Sequence, residues 1–157
     1  MVEKITFKPI GIIYTPYSKK EGTPIQGCFA PGNKGFIELY PEYEDGLQDI
    51  QGFSHLILLY YFHKAEGCSL LTKPFLDEDE KGIFAIRHFN RPNPLSLSVV
   101  KLIRVRDNIL DIESVDMLDG TPLLDLKPYV PQFDIKEDAK DGWYHNASER
   151  SKYTVEE

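Results

Sequence analysis

The chain has 157 residues, a net charge of −7 and 41% hydrophobic residues, with only two cysteines. These are ordinary globular values, and the length allows one domain to bury a core without disulfides. Cys28 and Cys68 fit no C-x-x-C or metal-ligand spacing, so we expect packing thiols, a reducing compartment and no metal. The N-terminus lacks an apolar signal core and no apolar run could span a bilayer, which predicts a cytoplasmic protein without a membrane partner.

The first part of the chain contains three stretches typical of β-strands. Residues 5–14 and 35–40 are rich in β-branched and aromatic side chains, and residues 53–62 are almost continuously apolar. The last pattern predicts a strand that is buried on both faces. Between the first two stretches, residues 18–34 are rich in Gly, Pro and polar residues, which predicts a long loop with a functional role.

His55 and His63 lie near the start and just beyond the end of the third stretch. Eight residues of extended chain span roughly 26 Å, so the two histidines cannot share a metal ion. We therefore expect His55 to be a core histidine with satisfied hydrogen bonds. His63, at a strand end, is placed to face a ligand.

The second half of the chain contains a hairpin pattern. Residues 97–106 and 109–117 are strand-like, and Asp107-Asn108 between them is a turn signal. Apolar and acidic residues alternate from position 110 to 113, which places two carboxylates on the solvent face of the second strand or, if the sheet closes, at its rim.

Short strands, closely spaced turns and one convincing helical segment, opened by Pro41, predict an all-β sandwich or barrel. Polar residues dominate from Gln132 onward, and we expect Trp143-Tyr144 to anchor this tail. The chain has no G-x-G-x-x-G after a strand, no P-loop and no G-x-S-x-G motif, so nothing suggests the nucleotide or hydrolase sites that those motifs form.

The R-P-N-P segment at 91–94 is the most unusual pattern in the chain. Its prolines lack a backbone donor and favour extended conformations before them, which predicts a rigid turn. Arg87 and Arg91 carry planar cationic groups suited to carboxylates or phosphates, and Asn93 adds an amide that donates and accepts. The alternative interpretation is an ordinary loop with surface arginines.

The charge distribution favours the functional interpretation. Residues 81–106 contain six basic and no acidic side chains, so this segment carries +6 in a chain of net −7. Such an asymmetry gives part of an acidic protein a preference for anions. The acidic run 77–80, which comes just before, is typical of a solvated loop.

Five motifs occur together and in order: I-G-I-I-Y-T-P-Y at 10–17, P-E-Y-E-D-G-L at 41–47, G-F-S-H-L at 52–56, R-P-N-P at 91–94 and D-G-T-P-L-L-D-L-K-P-Y at 119–129. Together they resemble the TsaA-like, or TrmO, family of S-adenosylmethionine-dependent tRNA methyltransferases. The similarity extends over about residues 5–134, and the ordered set is far more specific than any one motif.

The resemblance implies an antiparallel β-barrel with one or two short helices and long loops, unlike the doubly wound fold of most methyltransferases. It implies a barrel domain at residues 1–135, a polar C-terminal extension at 136–157, and a homodimer. The implied cofactor is S-adenosylmethionine and the implied partner is tRNA. The implied reaction is methylation of the N6 atom of N6-threonylcarbamoyladenosine beside the anticodon.

Carried over position by position, the resemblance implies a cofactor site built from four parts of the chain. These are the loop Pro24, Ile25 and Gln26, the strand end His63 and Lys64, the flanks of the proline turn at Arg87 and Leu97, and the segment Glu113, Ser114, Val115 and Asp116. Arg87 would hold the carboxylate of the cofactor, and Asp116 would favour the positive charge of its sulfonium. Methyl transfer then depends mainly on the alignment of acceptor, methyl and sulfur.

The same resemblance implies an RNA-facing surface. Its residues would be Arg91, Asn93, Lys101, Arg104 and Arg106, the last three as phosphate contacts. Asp119 is the candidate general base for the proton of the acceptor nitrogen.

The central segment departs from the family pattern F-A-T-R-S-P-x-R-P-N-P-I-G-L-S at Ile86, His88, Phe89, Leu95 and Ser96. Ser96 adds a side chain where the family has a glycine, and a backbone can approach a ligand closely at a glycine. The acceptor therefore stays open. The alternatives are a non-catalytic barrel that binds RNA or a nucleotide, and a small-molecule methyltransferase, which the net charge of −7 favours because it disfavours a long nucleic-acid footprint.

Overall fold

The computed structural model describes residue 1 and residues 3–152, with side chains through residue 148. The strands in this part are β1 (Gly11–Tyr14), β2 (Lys34–Leu39), β3 (His55–Tyr61), β4 (Leu71–Thr72), β5 (Lys81–Gly82), β6 (Leu95–Arg106), β7 (Ile109–Glu113) and β8 (Thr121–Pro128). The helices are α1 (Pro131–Asp134) and α2 (Tyr144–Lys152), and short 3-10 helices cover Gly27–Phe29, Pro41–Leu47, Ile50–Gly52 and Ile83–Ala85.

Six strands form a closed barrel in the order β1-β2-β7-β6-β3-β8, and β8 pairs with β1 to complete it. The pairs around the barrel are antiparallel. Closure removes the unpaired edge strands that an open sheet exposes to solvent. The predicted all-β barrel is confirmed, and the sandwich alternative is excluded.

The core of the barrel consists of the inward-facing residues of each strand. On β3, Leu56, Leu58 and Tyr60 have 3% exposure or less, whereas His55, Ile57 and Leu59 are half-buried. The prediction that this strand is buried on both faces is wrong, because an antiparallel strand in a closed barrel has one core face and one outer face. His55 is half-buried with Nδ1 2.8 Å from Ser54 Oγ, so it lies outside the core.

The predicted hairpin is confirmed as β6 and β7, which are joined at Asp107-Asn108. Leu110 and Ile112 are buried in the core, and the alternate positions face outward, as the sequence pattern predicts. The second strand ends at Glu113, earlier than predicted. Ser114 adopts a left-handed φ of 67°, which interrupts an extended chain.

Two strand predictions need correction. The predicted strand at 5–14 is limited to Gly11–Tyr14, with Ile10 still hydrogen-bonded through its N–H to Leu123 O. Pro9, which lacks a donor, precedes this point. Residues 119–122 have the composition of a turn, and Pro128 and Pro131 follow soon after, so the local pattern does not predict a strand here, yet Thr121–Pro128 forms β8. Pro122 and Pro128 are tolerated because they lie near or at the ends of the strand.

The chain divides into two compact units. The first, Met1–Ala65 with Asn93–Tyr129, contains the barrel, and the second contains Glu66–Pro92 and the chain from Val130 onward. The predicted boundary between a barrel domain and an extension at residue 135 stays a prediction. Among the described residues, no helix is both long and apolar enough to cross a membrane.

The second unit has its own internal contacts. β4 and β5 pair with Leu71 opposite Gly82. The Trp143 side chain donates from Nε1 to Ala85 O at 2.7 Å, and its ring lies 5.8 Å from Lys81 Nζ. Trp143 therefore anchors the segment before α2, as the sequence predicts.

Candidate functional site

A chain of hydrogen bonds connects the barrel interior to a half-buried carboxylate. Tyr60 OH lies 2.8 Å from Ser98 Oγ, and Ser98 donates to Asp116 Oδ1 at 2.5 Å. The other oxygen, Oδ2, accepts the backbone N–H of Gly27 at 2.9 Å. In both of these bonds the carboxylate oxygen is the acceptor.

The loop that precedes β2 is packed closely against the segment that follows β7. A Cβ atom on Gly27 would lie 2.1 Å from Ser114 O, so only glycine fits here. Ser114 N donates to Asn33 O at 2.8 Å, and the Asn33 side chain donates to the Tyr17 hydroxyl. Val115 is fully buried in the core, so its side chain packs in the barrel.

The structure brings the predicted loop residues next to Asp116. Pro24 and Gln26 are half-buried and Ile25 is exposed, and they immediately precede Gly27, whose N–H binds the carboxylate. The Gln26 side-chain amide donates to Ile25 O at 2.9 Å. Gly27, the residue after the predicted loop segment, therefore connects this loop to Asp116 in the fourth predicted part of the site.

The end of β3 carries His63 and Lys64. Lys64 Nζ donates to Ser18 O at 3.3 Å, which joins the strand end to the same loop. Burial lowers the pKa of His63, and the Lys64 ammonium lowers it further, against an opposing effect of Asp119. A neutral imidazole is therefore favoured at this position near neutral pH.

Asp119 has a structural contact in addition to its predicted catalytic role. Its Oδ1 accepts the Thr15 N–H at 3.0 Å, and its own N–H donates to Tyr17 O at 2.7 Å. These bonds fix the turn before β8 against the residues that follow β1. The general-base role stays a prediction.

Two of the three predicted phosphate contacts on β6 bind the same acidic residue of β7. Arg104 and Arg106 both bind the Asp111 carboxylate, at 3.0 Å and 2.8 Å at closest approach. The hydrogen bond from Arg106 lowers the pKa of Asp111, and Arg104 contributes in the same direction. Lys101 lies opposite Glu113 on β7 and has no ion-pair partner among the described residues.

Ser98 and Leu97 lie on opposite faces of β6. Ser98 is buried in the barrel interior, while Leu97 is exposed. Leu97 lies on an apolar surface that we call the β3–β6 outer face, formed by the cross-strand pairs Ile57 with Val99, Leu59 with Leu97, and Tyr61 with Leu95. Its three β6 members are 39–43% exposed.

The predicted residues Arg87 and Arg91 belong to the second unit, whereas Asn93 belongs to the first. Arg87 is exposed. Arg91 Nη1 donates to Ile86 O at 2.9 Å and to His88 O at 3.2 Å, so this arginine holds the turn together. In the first unit, Asn93 O accepts the Leu95 N–H at 2.7 Å.

Two of the family departures lie in an aromatic stack within the second unit. The His88 ring stacks on Phe89 at 4.1 Å between centroids and on Phe75 at 5.8 Å. His88 Nδ1 accepts the Asn90 N–H at 3.1 Å, which fixes the ring orientation.

Reasoning from the sequence missed Tyr60, Ser98 and Gly27 as members of the site. A buried serine on a strand whose neighbours are apolar is a weak signal, and only the fold shows that it faces Asp116. Gly27 directly follows the loop segment identified for the cofactor, so its position was the one available signal.

The family model described as the tRNA-methyltransferase O N-terminal domain matches residues 12–135. A "probable S-adenosyl-L-methionine-binding protein" of Pyrococcus abyssi is 49% identical over 139 residues, which are 88% of this chain and 76% of that protein. The tRNA (adenine(37)-N6)-methyltransferase of Escherichia coli is 35% identical over 151 residues, which cover 90% of this chain and 64% of that protein.

A solved structure has the same fold. The crystal structure of TrmO from Pseudomonas aeruginosa superposes with a TM-score of 0.78 at 36% identity, over 90% of this chain and 63% of that one. The chain therefore spans less than two thirds of both the Escherichia coli protein and the Pseudomonas aeruginosa chain.

Proposed function

Because the chain belongs to the family of tRNA-methyltransferase O N-terminal domains, we propose that it is an S-adenosylmethionine-dependent tRNA methyltransferase that acts on N6 of adenine. The acceptor is N6-threonylcarbamoyladenosine beside the anticodon, at the position that the names of the Escherichia coli and human relatives specify as adenine 37. The observation that carries the proposal is the Asp116 carboxylate, which is held by the barrel on one oxygen and by the loop on the other.

The donor groups in this region fit S-adenosylmethionine. The carboxylate of Asp116 suits a cation, the Gln26 amide suits a polar nucleoside edge, and the close packing at Gly27 leaves the loop backbone near the carboxylate. Within the first unit, the proposed cofactor contacts are Pro24, Ile25, Gln26, His63, Lys64, Leu97, Glu113, Ser114, Val115 and Asp116, and the role of Arg87 in the second unit stays a prediction from the family resemblance. When bound, the cofactor supplies a methyl group on a positively charged sulfur.

The protein contributes orientation and charge. Ser98 and Gly27 each bind one oxygen of Asp116, so the carboxylate does not have to reorient during the reaction. Asp119 takes the proton of the acceptor nitrogen in this proposal. Its Oδ1 is bound to the Thr15 N–H, while its Oδ2 makes no hydrogen bond with the described residues.

The tRNA is bound by cationic and amide groups on the R-P-N-P segment and on β6, namely Arg91, Asn93, Lys101, Arg104 and Arg106. Lys101 is exposed, as are the two arginines, which share one acidic partner in the free protein. Contacts of this kind position a nucleic acid backbone without reading its sequence. Since the proposed substrate is tRNA, we propose that the protein acts in the cytoplasm.

The protein works as a homodimer that covers the β3–β6 outer face. This face presents three apolar cross-strand pairs to solvent in the single chain. A contiguous apolar surface of this kind is typical of an interface, since scattered single residues are the norm elsewhere on a surface. A second copy with the same face gives a self-complementary contact about a two-fold axis.

The function is tested by incubating the purified chain with S-adenosylmethionine and either of two tRNA preparations, one that carries N6-threonylcarbamoyladenosine and one that lacks it. Mass spectrometry of the digested nucleosides is expected to show a methylated product only from the first. Methylation of both preparations would replace the proposed acceptor with unmodified adenosine. Tight cofactor binding without methylation of either would favour a small-molecule acceptor.

A further inference from the structure

We propose that Tyr60 and Ser98 are positioning residues that hold the Asp116 carboxylate so that the site distinguishes S-adenosylmethionine from S-adenosylhomocysteine. The first ligand carries a sulfonium, and the second, which is left after methyl transfer, carries a neutral thioether. The inference rests on the proposed function, because it requires that Asp116 faces the cofactor.

The burial of the two hydroxyls is the first argument. Tyr60 and Ser98 are 3% and 4% exposed in a core made mainly of aliphatic side chains, with the Phe62 ring edge-on to Tyr60 at 5.8 Å. Buried hydroxyls cost free energy unless they are hydrogen-bonded. Two of them in series, ending on one carboxylate, therefore indicate a role in holding that carboxylate. Among the described residues, Thr121 is the other buried polar side chain, and it donates to Leu118 O within its own turn.

The direction of the hydrogen bonds is the second argument. Ser98 has one hydroxyl proton, and it donates this proton to Asp116 Oδ1. In the contact between the two hydroxyls, Tyr60 is therefore the donor and Ser98 the acceptor. Two donors in series end on the carboxylate, and hydrogen bonds in such a chain strengthen one another in a low-dielectric interior.

The chemistry of the ligand is the third argument. A sulfonium has no N–H or O–H group to donate, so its positive charge is the main feature that a protein can recognise. A fixed carboxylate favours the charged ligand over the neutral one, and the preference falls when the carboxylate is free to turn toward water. Tyr60 and Ser98 do not touch the ligand in this scheme and act only through Asp116.

Calorimetric titration of the purified protein with each ligand tests the proposal. Ser98→Ala is expected to lower the affinity for S-adenosylmethionine by about tenfold, because a hydrogen bond to a charged group is lost. Its affinity for S-adenosylhomocysteine is expected to stay within about twofold of wild type, because that ligand lacks the charge that Asp116 recognises. Tyr60→Phe, which keeps the ring in place, is expected to cause a smaller loss in the same direction.

Thr121→Val is the matched control, because it removes another buried hydroxyl of the barrel that does not contact Asp116. It is expected to leave the ratio of the two affinities at the wild-type value. If Tyr60 acts through Ser98, the double variant has the same ratio as Ser98→Ala alone. Additive losses would contradict the series arrangement.

Two outcomes overturn the proposal, and they are distinguishable. If both variants lower the affinities for the two ligands by the same factor, the hydroxyls have only a structural role, and the proposed function still stands. If the wild-type protein binds neither ligand, the proposed function fails and the inference fails with it. Should Ser98→Ala not fold, as judged by circular dichroism, Tyr60→Phe provides the same comparison.

Discussion

Gly27 and Asp116 are joined by a 2.9 Å hydrogen bond, from the glycine N–H to Oδ2, between residues that lie 89 positions apart. This bond fastens the loop before β2 to the segment after β7. On the other side of the same carboxylate, Ser98 connects it to the barrel interior. Loop and barrel therefore share one carboxylate, and a change in the loop is expected to affect the proposed cofactor site.

Gly27→Ala is expected to destabilise the protein by about 1–3 kcal/mol, because the new methyl group overlaps a backbone oxygen. The Cβ would lie 2.1 Å from Ser114 O, whereas at Gly46 nothing lies within 4 Å. Gly46→Ala is the control and should unfold close to the wild-type midpoint. Urea unfolding followed by circular dichroism measures both. Equal midpoints would show that the loop shifts to accept the methyl group.

Arg91→Ala is expected to loosen the turn at 86–91, because Nη1 binds the carbonyls of Ile86 and His88. Hydrogen exchange should become faster in this turn, with unchanged protection in the barrel strands. Arg91→Lys keeps the charge but cannot place a planar guanidinium nitrogen between the two carbonyls, so the same increase is expected. If lysine restores tRNA binding while exchange stays fast, the arginine binds phosphate directly. A variant with wild-type exchange would contradict the structural role.

The free energy of unfolding is expected to fall as the pH decreases below about 6.5, because burial and Lys64 lower the pKa of His63 in the folded state. The unfolded chain then binds a proton more readily than the folded one. The contribution of His63 is complete above its unfolded pKa and is lost as the pH falls through its lower folded pKa. His63→Gln should flatten this part of the stability profile, measured by urea unfolding at a series of pH values. An unchanged profile would argue against the burial of the ring.

Asp111→Asn is expected to increase tRNA affinity at low salt, because it releases Arg104 and Arg106 and removes one negative charge. The pair is exposed, so little stability should be lost at neutral pH. The pKa of Asp111 is lowered in the folded state, so what stability it contributes is present above its unfolded pKa and is lost in acid. Filter binding at several salt concentrations measures the effect, and a steeper salt dependence is expected. Unchanged affinity would place these arginines outside the RNA surface.

Val99→Lys is expected to convert a homodimer to a monomer, because it places a charge in the centre of the β3–β6 outer face. Ile103→Lys is the control, since it adds the same charge on the same strand beyond the irregularity between Leu102 and Arg104. Analytical ultracentrifugation of both variants and of the wild type measures the association state. A wild-type monomer would remove the proposed dimer, and a dimeric Val99→Lys would place its interface elsewhere.

The parts of the fold that could be predicted were those with local signals. The hairpin of β6 and β7 combines a turn dipeptide with alternating apolar residues, and both features depend only on neighbours in the sequence. β8 was missed because its two prolines are a local signal against a strand, whereas its pairing with β1 and β3 is a property of the closed barrel.

The inward and outward faces of β6 show the same limit. Leu95, Leu97 and Val99 have the alternation of a core face, yet they lie outside, while Ser98 and Val100 lie inside. Hydrophobic alternation indicates a strand and its period, but it does not distinguish a core from an apolar surface that a partner covers.

The sequence by itself determined the class of fold, the family and the residue types available for a methyl-transfer site, because motifs and periodicity are written in consecutive residues. Only the tertiary structure decided that Asp116 is held by Ser98 and Gly27, that Arg91 binds its own turn, and that Arg104 and Arg106 share Asp111. The physical reason is distance along the chain. A hydrogen bond between strands or across a loop depends on the closure of the whole barrel, and no local pattern encodes which donor meets which acceptor.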